Sequence, residues 1–402
     1  MDIQAIRQQF PGLRDKVFLD AACVSLAPLC AVEAVQGFLK IAAECPARSS
    51  THHHIIMDEM RAEARKEAAR LINAAEDEIA IVESTTYGLS VAADAIPLSR
   101  RDEVLICDLE YLQVAVPWAQ KQASDGIRLV MVPNRNGTVP LSDIAERLTE
   151  RTKILAISSV QWSNGFRSNL AAFSSLCRER NIWLVVDAVQ HLGAMPLDVR
   201  ETPVDILACG GHKWLNAPFG AGIMYIRKSR IPELKKLTAG YLSLETPEGG
   251  WENYFQTPSI SPLREYTFVD EARRYEIGGT ANYLGAVGLA ASLKLINGIG
   301  RDRIAAYILE LTDSLIEGLK TVGVEVVTPV EKRYRSGIVT FSIGSVERNL
   351  ALMNHLLNHR VLVSVRYTSG VGGVRVSCHF FNSRDDLSRL LSRVEDFLKK
   401  KL

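Results

Sequence analysis

The stretch Ala208-Cys209-Gly210-Gly211-His212-Lys213-Trp214 decides how the rest of this chain is read. The apolar run Val204-Asp205-Ile206-Leu207-Ala208 leads into it and reads as a strand. Residues 215–222 are turn-like, and Ile223-Met224-Tyr225-Ile226 reads as a second strand. A lysine in such a hairpin is ordinarily a solvated surface residue. A lysine held between two buried strands is different, because poor solvation disfavours the ammonium form and lowers its pKa. Such a lysine is available as a neutral amine that condenses with a carbonyl. Its neighbours along the chain decide between the two.

Ahead of Lys213 the pattern is strand–helix alternation. Strands are expected at 79–82, 104–107, 127–132, 154–159 and 182–186, with helices at 85–95, 114–122, 141–148 and 171–180. Ile182-Trp183-Leu184-Val185-Val186 is a continuous apolar run of the kind buried on both faces. Repeated β-α units imply a mostly parallel sheet with helices on both sides. Asp187 follows that last run, at the end of a parallel strand where α/β folds bind ligands. A partly buried carboxylate there needs a cationic partner; otherwise it is a helix cap or turn residue. Glu83-Ser84-Thr85-Thr86-Tyr87-Gly88 sits where a strand gives way to a helix. Ser and Thr favour an N-cap in any case, and a helix N-terminus also suits a phosphate.

The bulk numbers are those of an ordinary globular protein: 402 residues, 47% hydrophobic, 23% charged, formal net charge +1. That charge gives no global field toward nucleic acid or membrane, so neither is expected as a partner. Seven cysteines (Cys23, Cys30, Cys45, Cys107, Cys177, Cys209, Cys378) are scattered without a CxxC pair. Reduced thiols and a cytoplasmic location are the expectation. No signal peptide or membrane-spanning apolar run is read from the sequence. Before the alternation lie a short helix at 3–10, an extended 17–20 and helices at 28–43 and 57–74. His52-His53-His54 falls between those helices and reads as loop. Adjacent residues of an extended segment point to opposite faces, so the triplet is not expected to share one metal ion. Residues 239–265 read as a long irregular loop. Two long helices at 281–296 and 301–320 follow, then strands near 324–328, 337–343, 361–365 and 373–379 with helices at 347–358 and 384–400.

Taken in order, phosphate cradle, acid and lysine resemble the class V aminotransferase group of pyridoxal-phosphate (PLP) enzymes, which includes cysteine desulfurases. The resemblance extends over nearly the whole chain. Phe18-Leu19-Asp20-Ala21-Ala22 is similar to the group's N-terminal segment lining the site, and Glu110-Tyr111 through Val116-Pro117-Trp118 to its ring-stacking segment. Asp187-x-x-Gln190 and Gly211-His212-Lys213 are similar to the cofactor-pairing and Schiff-base motifs. Tyr275-Glu276-Ile277-Gly278-Gly279-Thr280-Ala281-Asn282 is similar to the loop that reaches the partner subunit's phosphate. The resemblance implies an α/β, fold-type-I architecture with a large, mostly parallel, seven-stranded type of sheet domain and a small C-terminal α/β domain. Residues 1–20 would pack on the small domain, 21–265 form the large domain and 266–402 the small one. It implies pyridoxal 5′-phosphate as cofactor and a homodimer with shared active sites. Lys213 would carry the cofactor as a Schiff base and shuttle the Cα proton. Asp187 would keep the pyridine nitrogen protonated, so that the ring acts as an electron sink. Gln190 would meet the ring oxygen and Tyr111 the ring face. Thr85, Thr86 and His212 would hold the phosphate, with Thr280 reaching across the dimer interface. Arg375 would grip the carboxylate of an amino-acid substrate.

The departures bear on the reaction. Desulfurases of this group carry a nucleophilic cysteine in the loop before the strand that holds the carboxylate arginine. Here that loop, 366–373, has none, and Cys378 reads as core. Tyr111 stands where the desulfurases have a histidine, and Trp162 where the group has an asparagine near the ring oxygen. The Gly-Gly-Thr at 278–280 is one residue longer than usual. Without the thiol an aminotransferase is the leading expectation. A C–S or other β-lyase, or an epimerase, is the alternative, and a non-catalytic scaffold would need neither Asp187 nor Lys213.

Overall fold

The computed structural model describes residues 1–237 and 239–399. The chain begins with α1 (Ile3–Gln8), β1 (Val17–Phe18), α2 (Leu29–Glu44) and α3 (Ser50–Ile72). The alternating region supplies β2 (Ile79–Val82), α4 (Thr85–Ala95), β3 (Glu103–Cys107), α5 (Leu112–Asp125) and β4 (Arg128–Val132). It continues through α6 (Leu141–Arg147), β5 (Thr152–Ser158), α7 (Leu170–Glu179), β6 (Trp183–Asp187), β7 (Ile206–Gly210) and β8 (Gly222–Ile226). These strands make one seven-stranded sheet in the order β2-β8-β7-β6-β5-β3-β4. All pairings are parallel except those of β8, which runs antiparallel to both β2 and β7. The hairpin expected around Lys213 is therefore the β7–β8 connection.

Successive side chains feed opposite layers, as strand pleating requires. Ile79 and Ile81 join one core cluster, with Leu105, Leu184 and Leu207, under α3, α7 and α9 (Tyr283–Ile299). Ala80 and Val82 join the other, with Ile106, Val185 and Met224, under α4 and α5. Covering both faces is what makes the strands read as unbroken apolar runs. Gly88 of α4 faces Ala208 so closely that a Cβ would come within 2.9 Å of the alanine Cβ. That contact seats the first turn of α4 beside the end of β7.

The remainder comprises α8 (Gly250–Phe255), α9, α10 (Arg301–Val322), β9 (Glu325–Val326), β10 (Ile338–Ser342), α11 (Val346–Asn358), β11 (Val361–Leu362), β12 (Ser364–Thr368), β13 (Val371–Ser377) and α12 (Arg384–Lys399). Residue 400, the expected end of the last helix, lies outside the described residues. An antiparallel sheet, β12-β13-β10-β9, packs with α10, α11 and α12 around a separate core. β1 pairs in parallel with β11, and Val17 and Leu19 enter this smaller core. Phe10 and Phe18 enter the larger one, so residues 1–20 touch both.

Ala272 and Tyr275 belong to the large sheet's cores, as do α9 and α10 as far as Ile308. From Leu311 onward α10 faces the small core. Three local readings change. The histidine triplet is not extended. The Ser49 hydroxyl accepts the His52 N–H at 3.0 Å, caps α3, and carries the triplet into its first turns. Residues 239–265 are not wholly irregular, since α8 interrupts them. The expected 366–373 loop is a tight hairpin, with Ser369 (φ 47°) and Gly370 (φ 79°) turning β12 into β13. No single helix among the described residues is long and apolar enough to cross a membrane.

A Gly→Ala change inside an open helix stabilises by about 1 kcal/mol. At Gly88 we expect the opposite sign, because the new methyl displaces α4 from β7; a denaturant midpoint at or above the native value would contradict this packing.

Candidate active site

The turn that presents Lys213 is held from three sides. Ser25 donates its N–H to the His212 carbonyl at 2.8 Å. Trp214 is fully buried against His379, 5.1 Å between ring centroids, and donates its indole N–H to Gln190 Oε1 at 2.7 Å. Gln190 donates in turn to the Ala22 carbonyl at 3.0 Å. The N-terminal segment, the exit of β6 and the lysine turn are thus one hydrogen-bonded chain. Gly211 admits this crossing, since a Cβ there would sit 2.8 Å from the Ala221 carbonyl oxygen.

Lys213 opens onto a cavity of about 290 Å³ at the C-terminal edge of the parallel strands. Asp187, the last residue of β6 and 3% exposed, forms part of its wall. Burial pushes the Asp187 carboxyl up to about 6, against the Val189 N–H at 2.9 Å and the charge of Lys213, which favour ionisation. Burial also lowers the Lys213 pKa; Asp187 works against that and Arg375 adds to it. His212 stacks on Phe219, 5.3 Å between centroids, and burial brings its pKa down to about 4, leaving a neutral imidazole.

Ser84, Thr85 and Thr86 bring the first turn of α4 to the same wall. Ser84 caps the helix by accepting the Tyr87 N–H at 3.1 Å, and Thr85 Oγ1 accepts the Gly210 N–H at 2.8 Å. The Thr85 hydroxyl proton stays available, beside a helix N-terminus that favours an anion. Tyr111 is 44% exposed at the mouth, its ring centre 5.8 Å from Lys213 Nζ, with Trp162 edge-on to it at 5.2 Å. Beneath the wall, buried Glu110 accepts from the Ser158 N–H at 3.0 Å and Gln161 Nε2 at 2.9 Å. Desolvation raises its pKa, and its charge contributes to the rise at Asp187.

Arg375, on β13, is 1% exposed. Its Nη1 donates to the Trp162 carbonyl at 3.0 Å and its Nη2 to Asp20 Oδ1 at 3.1 Å. Its Nε and the Trp162 indole N–H are buried without a partner among the described residues. Both residues line the cavity. Such orphaned donors are costly unless a ligand meets them. Asn164, the nearby amide, is occupied elsewhere, donating to the Gly137 carbonyl at 2.7 Å and accepting from Phe166 at 3.0 Å.

The structure therefore gathers Thr85, Thr86, Tyr111, Asp187, Gln190, His212, Lys213 and Arg375 around one cavity. It leaves Thr280 exposed and away from that wall, on a loop tied down through Glu276 to Arg61 at 2.6 Å and Arg65 at 2.7 Å. None of His52, His53 and His54 lines the cavity. Sequence reasoning missed Cys23 and Arg366, which also line it. The signal for Cys23 was its place directly after the Asp20-Ala21-Ala22 segment.

A basic–acidic lysine pocket beside a helix N-terminus, with donors awaiting a polar ligand, fits pyridoxal phosphate on these residues alone. The family model for aminotransferase class-V matches residues 17–390. The chain belongs to the class-V aminotransferase family and is a PLP-dependent enzyme. A probable cysteine desulfurase of Pyrococcus abyssi is 26% identical over 411 residues, covering 98% of this chain and 97% of that protein. The apo cysteine desulfurase of Thermococcus onnurineus superposes with a TM-score of 0.86 at 24% identity, covering 99% and 98% of the two chains. The cystine C–S lyase C-DES has been solved as a mutant with glycine covalently linked to its PLP cofactor. That structure gives a TM-score of 0.87 at 23% identity over 97% of this chain and 99% of that one.

In the unfolded chain the Asp187 carboxyl ionises near 3.8, and in the fold near 6. Its ionised form therefore weakens the folded apoprotein above pH 6, and the cost vanishes below about pH 4. Asp187→Asn keeps the acceptor for Val189. We expect it to stabilise the apoprotein at pH 8 by about 3 kcal/mol, at 1.36 kcal/mol per pKa unit, with the two proteins converging at pH 4 while PLP affinity falls. Urea unfolding across this range checks the sign.

Proposed function

We propose that this enzyme cleaves the Cβ–S bond of a cysteine-like α-amino acid, without a keto-acid acceptor. The observation that carries the proposal is the end-to-end likeness to proteins named cysteine desulfurases. It tips the balance from the aminotransferase expected on sequence to the C–S lyase alternative.

When bound, pyridoxal phosphate supplies an electron sink for charge developing at the substrate's Cα. The roles of the chain's own residues follow from their surroundings. Lys213 Nζ, held toward its neutral form by burial, would hold the cofactor's carbonyl end and move the proton at the substrate's Cα. The Asp187 carboxylate would face the ring nitrogen, whose protonated form is a cationic partner for a buried acid. The first turn of α4, with Thr86, the Thr85 hydroxyl and neutral His212, binds the phosphate. Gln190 and the unpaired Trp162 N–H line the same cavity and would meet the polar edge of the ring. Tyr111, at the mouth, would cover the ring and limit water there. Arg375, anchored by Asp20, receives the substrate carboxylate.

The enzyme works as a homodimer, in which the exposed Thr280 loop reaches the phosphate of the neighbouring site. Its unpaired cysteines suit the cytoplasm. The test is an assay of purified holoenzyme with L-cysteine and L-cystine, with and without a keto acid. Sulfur recovered as sulfide after reduction, at a rate the keto acid leaves unchanged, is the expected result. Turnover that requires the keto acid and releases no sulfur would restore the aminotransferase reading.

A further inference from the structure

The hairpin of β12 and β13 carries no thiol, yet its first cavity residue, Arg366, reaches across to one. Arg366 Nη2 donates to Cys23 Sγ at 3.5 Å, and its Nη1 is fixed on the Val365 carbonyl at 2.9 Å. The sulfur lies on the cavity wall, in electrostatic reach of both Lys213 and Arg375. It shares that wall with the amine and with the arginine proposed for the carboxylate. Arg375, whose buried Nε has no partner among the described residues, lines the same cavity and is an independent sign that this cavity takes a polar ligand.

The other six cysteines are placed differently. Cys107, Cys177, Cys209 and Cys378 are buried, and desolvation pushes their thiols up. Cys30 donates toward the Ala291 carbonyl at 3.9 Å, and Cys45 is exposed at the C-terminus of α2. None of the six lines the cavity.

We infer that Cys23 is the sulfur acceptor of this enzyme, a nucleophilic thiol on the wall opposite the hairpin; this rests on the C–S lyase reading above. Its sulfur bonds to the sulfur of the substrate as the substrate's Cβ–S bond breaks. The Cβ keeps the electron pair of that bond and takes up one proton, while one hydrogen stays on the terminal sulfur. Carbon is reduced as sulfur is oxidised, so an amino acid with a β-thiol and the Cys23 thiol give L-alanine and a Cys23 persulfide with no further reactant. Arg366 is a positioning residue, its N–H facing the charge that develops at sulfur.

The experiment incubates holoenzyme with L-cysteine without reductant, traps thiols with iodoacetamide and reads the mass of each cysteine peptide. The Cys23 peptide should carry one additional sulfur, with L-alanine formed in equal amount. Cys23→Ser and Cys23→Ala should keep the visible cofactor band and its response to L-cysteine but lose alanine formation at least 100-fold. In unreacted holoenzyme, L-alanine filling the cavity should slow labelling of Cys23 and leave Cys45 unchanged. Pyruvate or sulfide formed at the native rate by Cys23→Ser, or sulfur on another cysteine, would overturn the inference and leave the lyase reading standing. No Cβ–S cleavage by the native enzyme would remove the lyase reading and this inference together.

Discussion

The fold's central constraint is a lysine ammonium that cannot be fully hydrated. Lys213 leaves a strand buried on both faces and ends in a cavity whose nearest acid, Asp187, is itself 3% exposed. Each charge is disfavoured by burial and partly restored by the other. Neither group is comfortable until a ligand brings a carbonyl for the amine and a cation for the acid. Stability is given up here so that the site is ready, which is a general feature of buried catalytic pairs.

Everything else in the architecture keeps that pair in place. The parallel strands align Asp187 beside Ala208, and the lysine turn follows directly from β7. Gly88 lets α4 press against β7, so the helix N-terminus arrives where a phosphate would lie. The Trp214–Gln190–Ala22 chain locks the turn to the N-terminal segment, which carries both Asp20 and Cys23. Asp20 then aims Arg375 from the small domain. Asp187 comes from the seven-stranded sheet and Arg366 and Arg375 from the smaller antiparallel one, so the cavity lies where the two sheets meet.

What could be read from sequence is what local pattern encodes. Apolar runs of strand length, an acid at a strand end and a lysine in a Gly-rich turn announce themselves, and the sheet and the Asp187–Lys213 pair came from them. Partners far apart in the chain did not. Arg366 and Cys23 are 343 residues apart, and nothing in either neighbourhood signals the other. The hairpin looked like a loop because its glycines, serine and threonine mask short strands joined by a two-residue turn. The histidine triplet looked extended because histidine is a weak helix former, and only the Ser49 cap shows that a helix has already begun. Periodicity likewise reveals that α9 is apolar, not which sheet it covers.

The role of Lys213 is most directly tested by borohydride reduction of the holoenzyme, followed by peptide mass mapping. The cofactor mass should be fixed on the peptide containing Lys213, stoichiometrically and at neutral pH. A protein that retains no cofactor mass after reduction, or carries it on another lysine, would contradict the claim that the Asp187-facing amine is where this enzyme's chemistry begins.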